Sequence, residues 1–90
     1  SNVEDNVESE HYFTAAEAAK IGGTDTHPLD LLTICVLVLR NGFTVTGESA
    51  CASAENFDAE IGRKIARENA IEKVWSLMGY ELKCRLASKK

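Results

Sequence analysis

Two arginines one helical turn apart form the pattern in this sequence that could best bind an anion. Arg63 and Arg67 flank Lys64 within the run Gly-Arg-Lys-Ile-Ala-Arg. Residues four apart share a helix face, and two guanidinium forks could hold a phosphate or a carboxylate. Glutamates interleave with these bases, so a solvated helix face with internal ion pairs is the alternative. Arg63, Arg67 and Lys64 are the candidate ligand-binding residues.

Catalytic and metal-binding chemistry is not indicated by any other group of side chains. Cys35, Cys51 and Cys84 are odd in number and show no Cys-x-x-Cys spacing, and each lies in a run of apolar or small residues. The two histidines, His11 and His27, lie in the N-terminal third, and no spacing ties them to a thiol. We therefore predict buried, reduced thiols, no catalytic residues, no metal, no cofactor and no enzymatic activity.

Length and charge limit the remaining classes. The 90 residues allow one domain, and the formal net charge of -4 argues against a strongly basic nucleic-acid binder. No apolar run approaches the ~20 residues needed to cross a bilayer. Residues 1–10 read as a flexible acidic lead-in, in which Ser1 and Asn2 resemble a cloning scar, and residues 11–88 as the single domain.

A β-hairpin is the clearest structural signal. The aliphatic run from Leu32 to Leu39 is followed by Asn41-Gly42, which suits a two-residue turn. That loop predicts a core face that contains Ile34, Val36, Val38, Phe43 and Val45. It leaves Cys35, Leu37 and Leu39 on the opposite face, where either another element or another chain must cover them.

A long helix and a strand are predicted to follow the hairpin. Residues 54–78 show apolar periodicity, with Ser53 as a fair N-cap, Asn56 and Asp58 as rivals, and Gly79 as the C-cap. One arc of this helix is large and includes Ile71 and Trp75; the other arc is small and suits close packing. Residues 80–86 alternate with period 2, which predicts a C-terminal strand. The fold class is α+β, with a small antiparallel sheet packed on the helix.

The apolar coverage of the strand and the helix exceeds what one small domain needs. We therefore predict a homo-oligomer, with candidate interface residues on the hairpin and on the large arc of the helix. These residues are Cys35, Leu37, Leu39, Ile71 and Trp75.

Several unusual strings resemble one family of proteins. They include Asn-Gly-Phe-Thr-Val-Thr-Gly-Glu-Ser-Ala-Cys at 41–51 and Asn-Phe-Asp-Ala-Glu-Ile-Gly-Arg-Lys-Ile-Ala at 56–66. They resemble small proteins encoded by tailed bacteriophages and prophages, among them short-tailed phages of enterobacteria. The resemblance covers most of the chain beyond residue 8, and it implies a phage or prophage product that acts in the bacterial host cytoplasm. It implies no catalytic residue or cofactor.

The sequence thus favours a phage accessory protein that works as a homo-oligomeric interaction module, with a host or phage protein as a possible partner. One alternative is a protein that sequesters a small anionic ligand, such as a nucleotide-derived signal. A second is weak nucleic-acid binding, which the net charge opposes. No membrane association is expected.

Overall fold

The computed structural model describes residues 3–89, so the prediction about Ser1 and Asn2 lies outside the described residues. Strand β1 (Val7–Thr14) leads into the short helix α1 (Ala15–Ala19), and β2 (Leu32–Leu39) and β3 (Thr44–Ala50) follow. The long helix α2 (Ala59–Ser88) ends the fold. The strands form one antiparallel sheet in the order β1-β2-β3, and α2 packs on it. The predicted α+β class is confirmed.

The acidic N-terminal segment is part of the domain. Strand β1 begins at Val7 and pairs with β2, and Val3 is buried in the core. The predicted flexible lead-in over residues 1–10 is therefore wrong for the described residues from Val3 onward. Its acidic side chains do not keep it in solvent, because Arg40 pairs with Glu8 and Arg67 pairs with two other glutamates.

The hairpin between β2 and β3 forms where predicted, but with a loop one residue longer. The amide of Leu39 donates to the carbonyl of Phe43, and the amide of Gly42 donates to the carbonyl of Leu39, both at 2.8 Å. Gly42 has a positive φ of 88°, as expected for a three-residue loop that ends in a glycine bulge. The predicted two-residue loop is therefore wrong, and the register shifts by one residue.

This shift places the other face of β2 on the same side as Val45 and Gly47, since neighbouring strand residues point to opposite sides. The face against α2 carries the fully buried residues of β2, and the other face carries half-buried ones. The interface predicted at Cys35, Leu37 and Leu39 therefore needs correction, because α2 of the same chain covers all three. The sequence left open whether another element or another chain covers this face, and the structure shows that an element of the same chain does.

Helix α2 begins later and ends later than the sequence predicts. Asp58 is the N-cap, and its Oδ1 accepts hydrogen bonds from the amides of Glu60 and Ile61 at 2.9 and 3.2 Å. The helix passes through Gly79, so both the predicted C-cap and the predicted strand at 80–86 are wrong. Good helix formers fill this segment, and Glu81 pairs with Arg85 one turn on at 2.9 Å.

The inner face of α2 is built from small residues. Gly62, Ala66, Ala70 and Val74 are buried against the sheet. A Cβ added to Gly47 on β3 would lie 2.1 Å from the carbonyl oxygen of Ala66, so the strand and helix backbones are in direct contact. The predicted close approach of the small arc is confirmed.

Candidate functional site

The outward face of α2 carries a regular row of residues. Starting at Ile61, they are spaced alternately four and three positions apart, which is the a/d spacing of a coiled-coil heptad. They lie on the opposite side of the helix from its small, buried arc. We call this row the outward stripe; it consists of Ile61, Ile65, Glu68, Glu72, Trp75, Gly79, Leu82 and Leu86.

The apolar members of the outward stripe are exposed to solvent. Trp75 is 57% exposed, Ile61 and Leu86 are 54% exposed, and Leu82 and Ile65 are 46% and 40% exposed. A stripe of large apolar side chains at heptad spacing is typical of a helix that pairs with another helix. Of the predicted interface residues, Trp75 belongs to this stripe, while Ile71 is half-buried and packs against the core.

The last part of α2 extends beyond the sheet. At 1.5 Å per residue the 30-residue helix is about 45 Å long, and the molecule measures 61 Å in its longest dimension. Every described residue from Gly79 to Lys89 is exposed. We call residues 79–88 the overhang. It is basic, since Lys83 and Arg85 outnumber Glu81 within it.

Arg67 is engaged within the chain. Its guanidinium donates to both carboxylate oxygens of Glu4, at 2.6 and 3.0 Å, and its Nε lies 3.3 Å from both oxygens of Glu10. The hydrogen bond from Arg67 lowers the pKa of Glu4 below its usual value, and the same pair raises the pKa of Arg67. Arg67 therefore holds the N-terminal segment against α2.

Arg63 faces a different environment from Arg67, so the two do not form one anion clamp. Arg63 lines a cavity of about 580 Å³ between the start of α2, the adjoining ends of β1 and β2, and the loop after α1. Its guanidinium has no ion pair with any residue in the range 3–89. Lys64 is exposed and does not line this cavity.

The three thiols differ in burial. Cys35 is fully buried, and burial raises its pKa above the usual value. Cys51 is half-buried and its Sγ donates to the carbonyl of Ser53 at 3.1 Å, while Cys84 on the overhang is exposed. The prediction of a buried thiol is thus wrong for Cys84.

The described residues contain neither a cluster suited to a metal ion nor a membrane-spanning helix. Within residues 3–89 no group of three or more His, Cys, Asp or Glu side chains is placed to hold a metal ion. None of the helices in that range is both long and apolar enough to cross a membrane.

The outward stripe and the cavity were not predicted as sites. The heptad spacing from Ile61 to Leu86 was present in the sequence, but the strand predicted at 80–86 divided it. The cavity could not be found from sequence, because its walls come from four separate segments of the chain.

Comparison with known proteins gives a family assignment. No curated protein and no solved structure matches the chain. A family model matches residues 1–86, nearly the whole chain. The family comprises phage proteins, in agreement with the resemblance seen in the strings at 41–51 and 56–66. The chain belongs to the phage protein (N4 Gp49/phage Sf6 gene 66) family.

Proposed function

We propose that this phage protein is a non-enzymatic interaction module that acts in the host cytoplasm as a homodimer, formed by pairing of two α2 helices. The observation that carries the proposal is the outward stripe. Five of its eight heptad positions over residues 61–86 carry exposed isoleucine, leucine or tryptophan side chains, and Glu68, Glu72 and Gly79 occupy the other three.

The stripe favours an antiparallel pair. In an antiparallel coiled coil the residues of one helix meet those of the other in reversed order. Such a pair places Ile61 against Leu86 of the partner subunit, and Ile65 against Leu82 of the partner subunit. Because the arrangement has twofold symmetry, each apolar contact occurs twice, at both ends of the interface.

The charges on the stripe favour the same orientation. In a parallel pair Glu68 and Glu72 would each face their own copies, and like charges in contact are destabilising. In the antiparallel pair Glu68 meets Gly79 of the partner subunit, with Lys83 of the partner subunit one turn away. Glu72 meets Trp75 of the partner subunit.

The overhang is basic, and in the antiparallel dimer each overhang lies along the first half of the other α2. That half carries three acids, Glu60, Glu68 and Glu72, among four bases, so its net charge is not opposite to that of the overhang. The electrostatic contribution to this orientation therefore comes from individual pairs, such as Glu68 with Lys83 of the partner subunit.

A hollow beside Ile61 offers a place for the partner's side chain. It has a volume of about 150 Å³ and is lined by residues that include Leu31, Phe57, Ile61 and Ile65. Leu86 of the partner subunit would lie next to it. Pairing would also support the overhang, since a ten-residue helix without tertiary contacts is only marginally stable in water.

Sedimentation equilibrium tests this proposal. We expect the wild-type chain, of 9.8 kDa, to sediment at twice that mass at micromolar concentration. Leu82→Lys should give a folded monomer whose circular dichroism spectrum loses at most the helical signal of the overhang, because Leu82 is exposed within one chain. Tyr80→Lys is the matched control: Tyr80 is 74% exposed on the same overhang but lies off the stripe. A monomeric wild type, or equal effects of both variants, would refute the proposal.

A charge exchange tests the orientation independently. Glu68→Lys alone should weaken dimerisation, since it places a second positive charge near Lys83 of the partner subunit. Adding Lys83→Glu should restore much of the lost affinity. No recovery in the double variant would contradict the antiparallel pairing.

The alternative functions have less support. A clamp formed by Arg63 and Arg67 lacks one arm, because Arg67 is bound to Glu4 and Glu10. The same ion pairs remove Arg67 from the basic residues of α2 that could contact nucleic acid. Arg63 forms no ion pair with a residue in the range 3–89 and remains available to an anion.

A further inference from the structure

We propose that the cavity beside the start of α2 binds a small ligand that combines an aromatic ring with one acidic group, a carboxylate or a phosphate. This site lies away from the outward stripe, so the inference does not depend on dimerisation.

The cavity has the size and walls of a small-molecule site. Its volume of about 580 Å³ falls within the usual ~300–1,000 Å³ of ligand pockets. Phe13, Phe57 and Tyr12 supply aromatic surface along it. The Tyr12 hydroxyl donates to Glu10 at 2.6 Å, which fixes the orientation of that ring. Aromatic walls of this kind suit a planar ligand.

Arg63 is the cationic group of the site. Its guanidinium forms no ion pair with a carboxylate in residues 3–89, in contrast to Arg67, Arg40 and Arg85, which all form ion pairs. A guanidinium presents a planar fork that matches a carboxylate or a phosphate oxygen pair. One such group on the ligand would complete its hydrogen bonding.

Thr33 is a second polar residue of the cavity wall. It is only 3% exposed, and its Oγ1 would lie 2.9 Å from a Cβ added to Gly62 of α2. A hydroxyl at this position can donate to or accept from a polar group of the ligand.

Two carboxylates limit the charge that the ligand can carry. Oε1 of Glu17 accepts from the amide of Thr14 at 2.7 Å, and Oδ2 of Asp30 accepts from the amide of His27 at 2.8 Å. These bonds hold both side chains in place, and the second oxygen of each has no partner in the range 3–89. They would accept N–H groups from the ligand and would repel a polyanion.

Isothermal titration calorimetry tests the proposal with two sets of probes. One set contains the four nucleoside 5′-monophosphates, and the other contains phenylalanine and tryptophan. We expect one set to bind with a dissociation constant below about 1 mM. Inorganic phosphate, which lacks a ring, should bind at least tenfold more weakly than the best probe. If no probe in either set binds, the proposal is overturned.

Variants locate the binding. Arg63→Ala should weaken the best probe at least tenfold, and Thr33→Val, which keeps the side-chain shape, should weaken it about fivefold. Arg63 is exposed, so its variant should fold even if the Thr33 variant does not. Lys73→Ala, which removes a positive charge from α2 outside this cavity, is the control. Equal affinity of Arg63→Ala and wild type would overturn the proposal, and Leu82→Lys should bind as wild type does.

Discussion

The inner and outer faces of α2 differ in the size and the exposure of their side chains. The inner face carries Gly62, Ala66, Ala70 and Val74, and it lies so close to β3 that Gly47 has no room for a side chain. The outer face carries large apolar residues that the chain itself leaves exposed. Small residues suit a contact that is already made, and large exposed ones suit a contact that another molecule completes.

The two faces should therefore respond differently to mutation. Changes on the inner face should lower the free energy of unfolding of a single chain. Changes on the outer face should leave that quantity nearly constant and alter self-association. The following predictions test this difference, beginning with the largest expected effect.

Gly47→Ala should destabilise the fold by more than about 4 kcal/mol, because the added Cβ meets backbone atoms of Ala66 and Ala70 that cannot move aside. The added atom would lie 2.1 Å and 2.3 Å from them. Urea denaturation measures the change. Gly22→Ala is the control, since nothing lies within 4 Å of a Cβ at Gly22. A cost below about 1 kcal/mol for Gly47→Ala would mean that β3 and α2 are not in backbone contact.

The same substitution on two leucines compares the core with the outward stripe. Leu37→Ala should cost about 2–5 kcal/mol of unfolding free energy, since Leu37 is fully buried. Leu82→Ala should cost less than about 0.5 kcal/mol at protein concentrations too low for dimers. Because it weakens the dimer, Leu82→Ala should also make the urea midpoint of unfolding depend less on protein concentration. Similar costs for both leucines would remove the distinction between the two faces.

Arg67 lies at the border between the faces and ties the N-terminal segment to the helix. Arg67→Met keeps much of the apolar stem but leaves Glu4 and Glu10 without their cation. We expect a loss of about 1–2 kcal/mol, measured by urea denaturation, because charge-assisted bonds to a partly buried guanidinium are broken. Lys64→Met, on an exposed neighbour, should change stability by less than about 0.5 kcal/mol. Equal effects would show that the Arg67 ion pairs contribute nothing.

The smallest expected effect is a pH dependence from Glu4. Hydrogen bonding to Arg67 lowers the pKa of Glu4 from its usual 4.5, so the folded state favours the ionised form. The stabilisation is present above pH 4.5 and is lost as the pH falls through the lowered folded value. Glu4→Gln should therefore be less stable than wild type at pH 7, by up to about 1 kcal/mol. The difference should shrink below pH 4; a constant difference would contradict the ion pair.

The hairpin shows what the sequence could and could not predict. Asn41-Gly42 located the turn, but both a two-residue and a three-residue loop use a glycine with positive φ there. The choice was made by packing: only the longer loop pairs Gly47 with Cys35 and Val45 with Leu37, so that the buried face of β2 lies on the same side as the glycine that α2 contacts. That contact joins residues distant in sequence, and no local pattern reports it.

The prediction of a strand at residues 80–86 was wrong for a related reason. Alternating apolar residues from Tyr80 to Leu86 satisfy period 2, yet Leu82 and Leu86 also satisfy the helical spacing of the outward stripe. A seven-residue window cannot separate the two, whereas the 26-residue row from Ile61 to Leu86 does so. Of the residues at the two candidate sites, the sequence predicted Arg63, which lines the cavity, and Trp75, which lies on the outward stripe. It misjudged Arg67 because its partners lie some 60 positions away.

Disulfide trapping in the antiparallel register tests the central claim most directly. In a Cys84→Ser background, Ile65→Cys and Leu82→Cys are introduced singly and together. Oxidation should give a covalent dimer only with the double variant or with a mixture of the two single variants. A disulfide within one chain cannot form, because the two positions lie about 25 Å apart along one helix. Efficient crosslinking of Ile65→Cys alone, or none in any sample, would contradict the antiparallel α2 dimer.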